Sequence, residues 1–600
     1  MRDHVLAIEY LHQATASSCS NDAIQAKTLL GFCYEFGLGL PKDFKAAEQH
    51  YLAVTQSVLI DKNETTCDAM RGLALIRLAF LRKYGRPGVR INRVEADYWE
   101  NQVQRSGRSA IAWLRRTATE YQCGASQYCL GVCYHDGLVV QKDEYEAFKW
   151  YKRSAEGGNS HGQSVLGYCY GEGFGVPKDE LMAMTWYRRA ANQGETVAMY
   201  NVGYCYEDGI GVPKDVTEAV KWYRLAAQQG NAFAQNSLGY CYEDGIGVGQ
   251  DRTLAAVWYA RSACQGYPWA ECNLGYCYQN GIGLARDPTT GAYWYRRAAE
   301  QGHARAQHNL GFCYQNGIGV DKDPLKAVAW YKKAAEQGNV FAYHSLGYCY
   351  QNGVGVPVSS QDAVYWYLLS AEQNHAPAQL SLGFCYRNGF GVEKNEAETV
   401  RWFEKSAEQG NPLAQNSLGF CYEEGLGLTR DPKRAVYWYL KSAKQGNPWA
   451  QCNLGFCFAN GIGVAVDPAK AVYWYRKAAL QNHARAQAKL GLHLQAGVGI
   501  ERDAEAAVSY FLMAAKQGQV MAQYHLATCY EHGIGTDKNL QQALIWYERA
   551  ALAGCPTAHE QLRRLLVRYC LENRISAADR MHSMEQYLAD WILGYAAPAA

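Results

Sequence analysis

The sequence has no apolar run long enough to cross a membrane. A membrane-spanning helix needs about 20 mainly apolar residues, and the 600 residues contain no such stretch. The first residues, MRDHVLAIEYLHQATASSC, carry charges and histidine within their apolar part, which makes them a poor secretory signal. We therefore expect a protein of the cytoplasm or nucleus that does not insert directly into a membrane.

An excess of charge of one sign is also missing. The 59 basic and 57 acidic residues leave a net charge of +2, so no overall field attracts nucleic acid. The chain has no phosphate-binding loop ending in GK(S/T), no HExxH motif and no nucleophile elbow. We expect no enzymatic activity, no cofactor, no metal site, no small-molecule substrate and no nucleic-acid partner.

Glycine, tyrosine and tryptophan are plentiful and regularly placed. The string LG-x-C-Y recurs around glycines that are 36 residues apart. These glycines, which define position zero of each unit, are Gly131, Gly167, Gly203, Gly239, Gly275, Gly311, Gly347, Gly383, Gly419, Gly455 and Gly491. Ala527 continues the series, and Gly31 anchors an earlier copy that is out of step. A fixed period of this length indicates stacked repeats.

Each unit predicts two antiparallel helices, A and B. In the unit around Gly203, helix A runs from about Ala198 to Asp208, with small or apolar residues at −5, −1, 0 and +3. Glycine at +6 is typical of a helix C-terminus. Position +12 is always Asp, Asn or Ser, which can cap helix B. Helix B carries aromatic residues at +19 and +20, and we expect the tryptophan at +19 to supply the buried bulk.

The unit A-x-x-x-LG-x-x-Y-x-x-G-x-GV-x-x-D-x-x-x-A-x-x-WY-x-x-AA-x-x-G resembles the Sel1-like repeat, a relative of the tetratricopeptide repeat. The resemblance covers residues 126–557 without a gap and 22–58 more loosely. It implies an all-α, right-handed superhelical α-solenoid of about fourteen helical hairpins that serves as a scaffold or adaptor for other proteins. It also implies two alternatives, because relatives activate chitin synthases or act in ER-associated degradation: a dedicated regulator of a membrane or signalling enzyme, or a degradation adaptor.

The repeats suggest five segments along the chain. We predict an N-terminal capping half-repeat at 1–20, a first repeat at 21–66 and a degenerate repeat with a basic insertion at 67–125. Twelve 36-residue repeats then occupy 126–557, and a helical cap occupies 558–600, with a further helix in SMEQYLADWILGY.

Five repeats also occur twice. PWAECNLGYC at 268 and PWAQCNLGFC at 448 are 180 residues apart, and HARAQ recurs with the same offset. This block is either a gene duplication without further meaning or a pair of similar surfaces for two like ligands.

The exposed face of helix A is the predicted binding surface. On a helical wheel, position +1 lies opposite the buried stripe and is aromatic in nine successive units, with amides or acids beside it at −2 and +5. This arrangement suits an extended peptide or a helix on the concave side; alternatively, the aromatic row packs between neighbouring A helices as core. The predicted partner-binding residues are Asn201, Tyr204, Asp208, Ser237, Tyr240, Asp244, Asn273, Tyr276, Asn280, Asn309, Phe312, Asn316, Tyr348 and Phe384.

A second candidate surface is the basic insertion. Eleven basic and three acidic residues lie between Arg71 and Arg116. The excess is either a docking patch for an acidic partner or phosphate groups, or the solvated face of a decayed repeat. The candidate patch residues are Arg86, Arg90, Arg93, Arg105 and Arg108.

Cysteine and glutamine recur at fixed positions as well. Twelve of the 21 cysteines lie at +2; because successive A helices should be about 8–10 Å apart, these thiols are too distant to pair. Buried free thiols fit a reducing compartment. Cys264 and Cys272 resemble a disulfide of secreted relatives, but the 180-residue copy has Lys444 in place of the first, so we expect no bond. Glutamine at −4 should hydrogen-bond between repeats.

Overall fold

The computed structural model of the chain describes residues 2–15, 20–57 and 65–572. Within these ranges the protein forms 31 α-helices, and its β-structure is limited to one antiparallel bridge between Arg86 and Val89. The further helix predicted in SMEQYLADWILGY lies outside the described residues. None of the described helices is long and apolar enough to cross a lipid bilayer.

The N-terminal part contains six helices: α1 (Arg2–Thr15), α2 (Ser20–Phe36), α3 (Phe44–Gln56), α4 (Thr65–Tyr84), α5 (Arg93–Ser106) and α6 (Arg108–Thr119). Helix α5 lies in the predicted insertion. Helices α5 and α6 both pack against α4.

Twelve hairpins follow, each an A helix and then a B helix. They are α7 (Gly124–Asp136) and α8 (Glu144–Glu156), α9 (Ser160–Glu172) and α10 (Glu180–Asn192), α11 (Thr196–Asp208) and α12 (Val216–Gln228), α13 (Ala232–Asp244) and α14 (Arg252–Cys264), α15 (Pro268–Asn280) and α16 (Pro288–Glu300), α17 (Ala304–Asn316) and α18 (Pro324–Glu336), α19 (Val340–Asn352) and α20 (Ser360–Glu372), α21 (Ala376–Asn388) and α22 (Glu396–Glu408), α23 (Pro412–Glu424) and α24 (Pro432–Lys444), α25 (Pro448–Asn460) and α26 (Pro468–Leu480), α27 (Ala484–Ala496) and α28 (Ala504–Lys516), and α29 (Val520–His532) and α30 (Leu540–Leu552). The last described helix is α31 (Pro556–Glu572).

The chain divides into two compact units, residues 1–342 and 343–600. In the first unit, every helix from α7 to α18 packs against the next one along the chain, and the same holds from α20 to α31 in the second. Stacked hairpins of this kind confirm the predicted all-α solenoid.

A close contact between glycine at zero and the aromatic residue at +20 joins the two helices of each hairpin. A Cβ on Gly203 would lie 2.7 Å from the ring of Tyr223, which is fully buried. The ring hydroxyl in turn donates to an acid at +4 in several units, as Tyr259 does to Glu243 at 2.7 Å. Tryptophan at +19 is less central than expected: it is buried in five units and half-buried in six.

The turn between helices A and B touches the preceding hairpin. A Cβ on Gly211, at +8, would lie 2.2 Å from the carbonyl oxygen of Glu180 in the previous B helix. Val139 is the exception at this position and adopts a positive φ of 65°. Its side chain is accommodated because the residue opposite is Gly107, where a Cβ would lie 2.5 Å from Val139 Cγ2. The glycine of this contact therefore lies between α5 and α6 instead of in the turn.

Glutamine at −4 links neighbouring hairpins. Gln235 Nε2 donates to the carbonyl oxygen of Ala227 in the preceding B helix at 3.1 Å. Its Oε1 accepts from Gln265 Nε2, in the turn that follows its own B helix, at 2.7 Å. The same pair of bonds recurs around Gln307, Gln415 and Gln451, so the predicted hydrogen bonds between repeats are confirmed.

The cysteines at +2 border this core. Eleven of the twelve are buried and Cys33 is half-buried. Burial raises the pKa of the Cys241 thiol to about 12, so it stays protonated at neutral pH and packs as a small apolar group. Of the possible pair, Cys264 is exposed and Cys272 is buried.

Gly239→Ala should destabilise the protein by about 1–3 kcal/mol, because the new Cβ would lie 2.8 Å from the Tyr259 ring. The clash must exceed the gain of up to ~1 kcal/mol that alanine brings to a helix interior. Gly249→Ala is the matched control, since a Cβ there meets nothing within 4 Å. Urea unfolding of both variants gives the comparison; equal midpoints would contradict the role of the contact.

Candidate functional site

The aromatic row at +1 lies at the surface of the first unit. Its members are between 40% and 46% exposed: Tyr168, Tyr204, Tyr240, Tyr276 and Phe312. In the second unit Tyr348 has the same exposure, whereas Phe384, Phe420 and Phe456 are half-buried. Most of the row therefore lies on an open helix face and not in the core between A helices.

Acids and amides at +5 support this row from the end of each A helix. Asp208 accepts a hydrogen bond from the Tyr204 hydroxyl, which raises the pKa of Tyr204 to about 12. Asp244 and Tyr240 form the same pair. An anchored phenol presents its ring in a defined orientation.

The amides at +5 in later units bond to their own helix. Asn280 Nδ2 donates to the carbonyl oxygen of Tyr276 at 2.9 Å, and Asn316 does so to Phe312 at 3.0 Å. These bonds hold the asparagine side chains along their own helices.

Amides at −2 are shared with the neighbouring repeat. Asn273 Nδ2 donates to Asn236 Oδ1 in the previous A helix at 3.0 Å, and Asn309 lies 3.9 Å from the Cys272 sulfur. Asn201 and Ser237 are half-buried on the same face. The −2 side chains therefore connect the A helices as well as border the aromatic row.

A second apolar row at −6 was missed by the sequence analysis. Positions −6, −2, +1 and +5 are three or four residues apart, so they share one helix face. Trp269 and Phe341 are exposed at −6 in the first unit, as are Leu413 and Trp449 in the second. Extending the helical wheel one turn towards the N-terminus would have found this row.

A cavity of about 410 Å³ lies on this face in the first unit. One wall comes from α4 and the loop that follows it, with Phe80, Tyr84 and Arg86. The facing wall comes from A helices and includes Tyr168 and Asn201. Tyr168 and Asn201 of the predicted A-helix face thus line this cavity together with Arg86 of the predicted basic patch.

A wider cleft of about 920 Å³ lies beside α5. Arg93 and Asp97 of α5 form one side, and Trp269, His303 and Arg305 are among the residues of the other. The Trp269 indole meets the His303 ring edge-on, with centroids 4.6 Å apart. This cleft combines an exposed indole with two guanidinium groups.

Several charges of the basic insertion are paired. Arg77 is fully buried and bonds to Glu35, Arg82 contacts Glu48 at 2.9 Å, and Lys83 contacts Glu100 at 2.9 Å. Acids of α2 and α3, outside the segment, thus neutralise part of the local excess that the sequence contains.

The predicted patch residues do not form one cluster of equal exposure. Arg86 is half-buried over the Phe80 ring, 4.9 Å from its centroid. Arg90, Arg93 and Arg108 are exposed, and the side chain of Arg105 lies outside the described part of the chain. A docking role for the three exposed arginines stays a prediction.

The A-helix face, formed by positions −6, −2, +1 and +5, offers ring stacking, apolar contact and hydrogen bonding. Across the described ranges, no group of three His, Cys, Asp or Glu side chains is placed to share a metal ion.

Glu271 departs from the glutamine pattern at −4. Its carboxyl is fully buried, accepts from Gln301 Nε2 at 2.8 Å and lies 2.6 Å from an Arg297 nitrogen. Burial outweighs the attraction of Arg297 and raises the pKa of Glu271 from 4.5 to about 7. The corresponding residue of the 180-residue copy is Gln451, which carries no charge.

Glu271→Gln should remove a pH dependence of stability. Because the folded-state pKa is raised, the stability from this carboxyl is full below pH ~4.5 and is lost as the pH rises through about 7. Urea midpoints at pH 5 and pH 8 should therefore differ less for the variant than for the wild type. Glu300→Gln, at an exposed acid, is the control and should keep the wild-type difference; an unchanged difference in Glu271→Gln would contradict the assignment.

Comparison with known proteins extends these observations. The family model described as "Sel1 repeat" matches fourteen segments of the chain: 1–18, 24–53, 124–159, 160–195, 196–231, 232–267, 270–303, 304–339, 340–375, 376–411, 412–447, 450–483, 484–519 and 520–555. No segment of the insertion between 54 and 123 is matched.

Two solved bacterial structures are similar over long stretches. One is a protective antigen of uropathogenic Escherichia coli that displays an SLR fold. It is 33% identical, covers 76% of this chain and 98% of its own, and has a TM-score of 0.57. The other is a Sel1 repeat protein from Oxalobacter formigenes, 32% identical, covering 51% of this chain and 89% of its own, with a TM-score of 0.40.

Proposed function

Because the chain belongs to the Sel1 repeat family, whose stacked hairpins are a common protein-interaction scaffold, we propose that it is a scaffold or adaptor. In this proposal, segments of partner proteins bind along the exposed face of the A helices. The surface comprises the aromatic row at +1, the apolar row at −6 and the polar positions between them.

The exposed +1 row is the observation that carries the proposal. Single exposed apolar residues are common on soluble proteins, but contiguous apolar patches mark interaction sites. Here five rings in successive A helices of one unit are each about two-fifths exposed. Tyrosine and tryptophan also supply large contact areas at a low cost in side-chain entropy.

Spacing favours an extended partner segment over a helix. Packed helices are about 8–10 Å apart, and three residues of an extended chain cover about 10 Å. Every third residue of such a segment would therefore meet the next A helix. Seven residues of an α-helix cover about the same distance, so a helical partner would contact the face far less often per residue.

The partner's identity distinguishes the possible roles. A regulator of one membrane or signalling enzyme and an adaptor in protein degradation would use the same face and differ in what they bind. We place the protein in the cytoplasm or nucleus, where its cysteines would stay reduced.

The test replaces three rings at once. We expect a variant with Tyr204→Ala, Tyr240→Ala and Tyr276→Ala to lose specific partners in a quantitative pull-down from the native cell, read by mass spectrometry. The fold should remain, because these side chains are already partly solvated. Tyr293→Ala, Tyr365→Ala and Tyr437→Ala form the matched control, since these B-helix tyrosines are 51–55% exposed.

Equal melting temperatures of the three proteins are required before the comparison. Retention of every partner by the first variant would contradict the proposal. Loss of partners from the control alone would assign binding to the B helices.

A further inference from the structure

The loop between α4 and α5, residues 85–92, lies along the A-helix side of the first unit. The amide of Ile91 donates to the carbonyl oxygen of Gln265, at the end of α14, at 2.7 Å. Val89 and Ile91 are buried, and Phe233 of the −6 row lies beside the loop. A short non-helical piece of the chain, with a turn closed by the bridge between Arg86 and Val89, therefore already occupies part of the face that we propose for partners.

Two glycines in the turns between hairpins permit this approach. A Cβ on Gly266 would lie 2.4 Å from the carbonyl oxygen of Ile91, and one on Gly230 would lie 3.2 Å from Pro87 Cβ. At other turns of the same type, such as those of Gly302 and Gly518, a Cβ would meet nothing within 4 Å. The backbone of the loop thus packs against the turns at Gly230 and Gly266. We call the surface formed by these two glycines with Phe233, Gln265 and Trp269 the first seat.

The same seat occurs again in the second unit, 180 residues later. Five of its residues match: Gln265 with Gln445, Gly266 with Gly446, Gly230 with Gly410, Trp269 with Trp449, and Phe233 with Leu413. Among the described residues, no atom lies within 4 Å of a Cβ on Gly410 or Gly446, beyond their own chain neighbours. Leu413 and Trp449 are exposed, so the second seat is open.

The open seat has a hydrogen-bond acceptor in place. Gln445 follows the last residue of α24, where carbonyl groups have no partner within the helix. In the first unit the corresponding carbonyl of Gln265 takes its hydrogen bond from Ile91. A segment bound in the second unit would satisfy Gln445 with a backbone amide in the same way.

Charge differs between the two seats. In the first unit the Arg90 side chain adjoins Gly266, with Cγ 2.9 Å from the position of a Cβ, and is attracted by Glu271. In the second unit Gln451 replaces Glu271, and Lys444 replaces Cys264. Arg485, 5.6 Å from the Phe456 ring centroid, corresponds to Arg305 of the first unit, so this cation is common to both seats. Glu408, two residues before Gly410, stands where the first unit has Gln228. An arginine at the position of Arg90, beside Gly446, would therefore lack the acid that Glu271 provides and would have Lys444 two residues before that glycine.

We propose that the surface around Gln445, Gly446 and Trp449 is a second docking seat, and that it binds an extended partner segment of the pattern apolar–acidic–apolar. The apolar residues take the positions of Val89 and Ile91, and the acid takes that of Arg90. The inference rests on the proposed function, because it assumes that partners bind on the A-helix face.

The first measurement compares two peptides on the full chain by isothermal titration calorimetry. One peptide has the sequence of residues 83–92, KYGRPGVRIN, and the other carries Arg90→Glu. We expect the substituted peptide to bind one site per chain, about tenfold more tightly than the unsubstituted peptide, because the acid takes the position beside Gly446, where Lys444 replaces Cys264 and Gln451 replaces Glu271. Tighter binding of the unsubstituted peptide, or no binding of either, would overturn the proposal.

A pair of glycine variants locates the site. Gly446→Ala should weaken the binding of the substituted peptide about tenfold, because a Cβ would occupy the space that the peptide backbone needs. Gly518→Ala is the control: its turn has a similar positive φ, 83° against 93°, and the same open space, but Met521 stands where Trp449 follows Gly446. Equal effects of the two substitutions would contradict the location, and Trp449→Ala provides a second test if Gly446→Ala does not fold.

The two proposals can fail separately. If the triple tyrosine variant loses partners but the peptides do not bind, the A-helix face is the binding surface and the second seat is not. If the peptide binds at Gly446 while the tyrosine variant keeps every partner, the seat exists and the wider surface is not used.

Discussion

The contact between glycine at zero and the aromatic ring at +20 sets the distance between the helices of each hairpin. The ring can lie against the A helix only because that position has no Cβ, and its hydroxyl then reaches an acid or amide at +4 of the same helix. Even the early copy follows the rule: a Cβ on Gly31 would lie 2.7 Å from the Tyr51 ring. The rest of each unit, including the buried cysteine at +2 and the glutamine at −4, is arranged around this contact.

Helix A packs closely against helix B on one side, and the residues on its opposite side differ from repeat to repeat. The +1 row is tyrosine anchored by aspartate in part of the first unit. In the second unit three of its members are phenylalanine, and Arg387 lies 5.2 Å from the Phe420 ring centroid. Because these side chains carry little of the packing, substitutions there change what the surface can bind at a small cost in stability. One fold can thus present faces of different character along its length.

The N-terminal segment, including the insertion, gives the first unit contacts that a simple repeat array lacks. In such arrays each repeat touches only its neighbours, yet Ile91 bonds to Gln265 and Lys42 lies 3.5 Å from Glu195. These contacts join residues more than 150 positions apart in sequence. We expect the first unit to unfold more cooperatively than an uninterrupted stack, because opening one hairpin there also breaks contacts with the N-terminal helices.

The sequence by itself determined the repeat, the helical hairpin, its caps and the exposed position of most of the aromatic row. These features depend on local rules: period, glycine at a left-handed helix end, and a capping side chain at +12. Periodicity alone did not show which of the two aromatic positions of helix B, +19 or +20, is more deeply buried. Position +20 is the deeper one because its ring packs against the glycine at zero.

Only the tertiary structure decided how the insertion is used. An excess of eight positive charges over 71–116 is reduced in part by acids of other helices, as Arg77 pairs with Glu35, and the loop at 85–92 lies on turns that are far away in sequence. Ion pairs and backbone contacts of this kind depend on which surfaces the stacked hairpins bring together. A linear pattern does not contain that information.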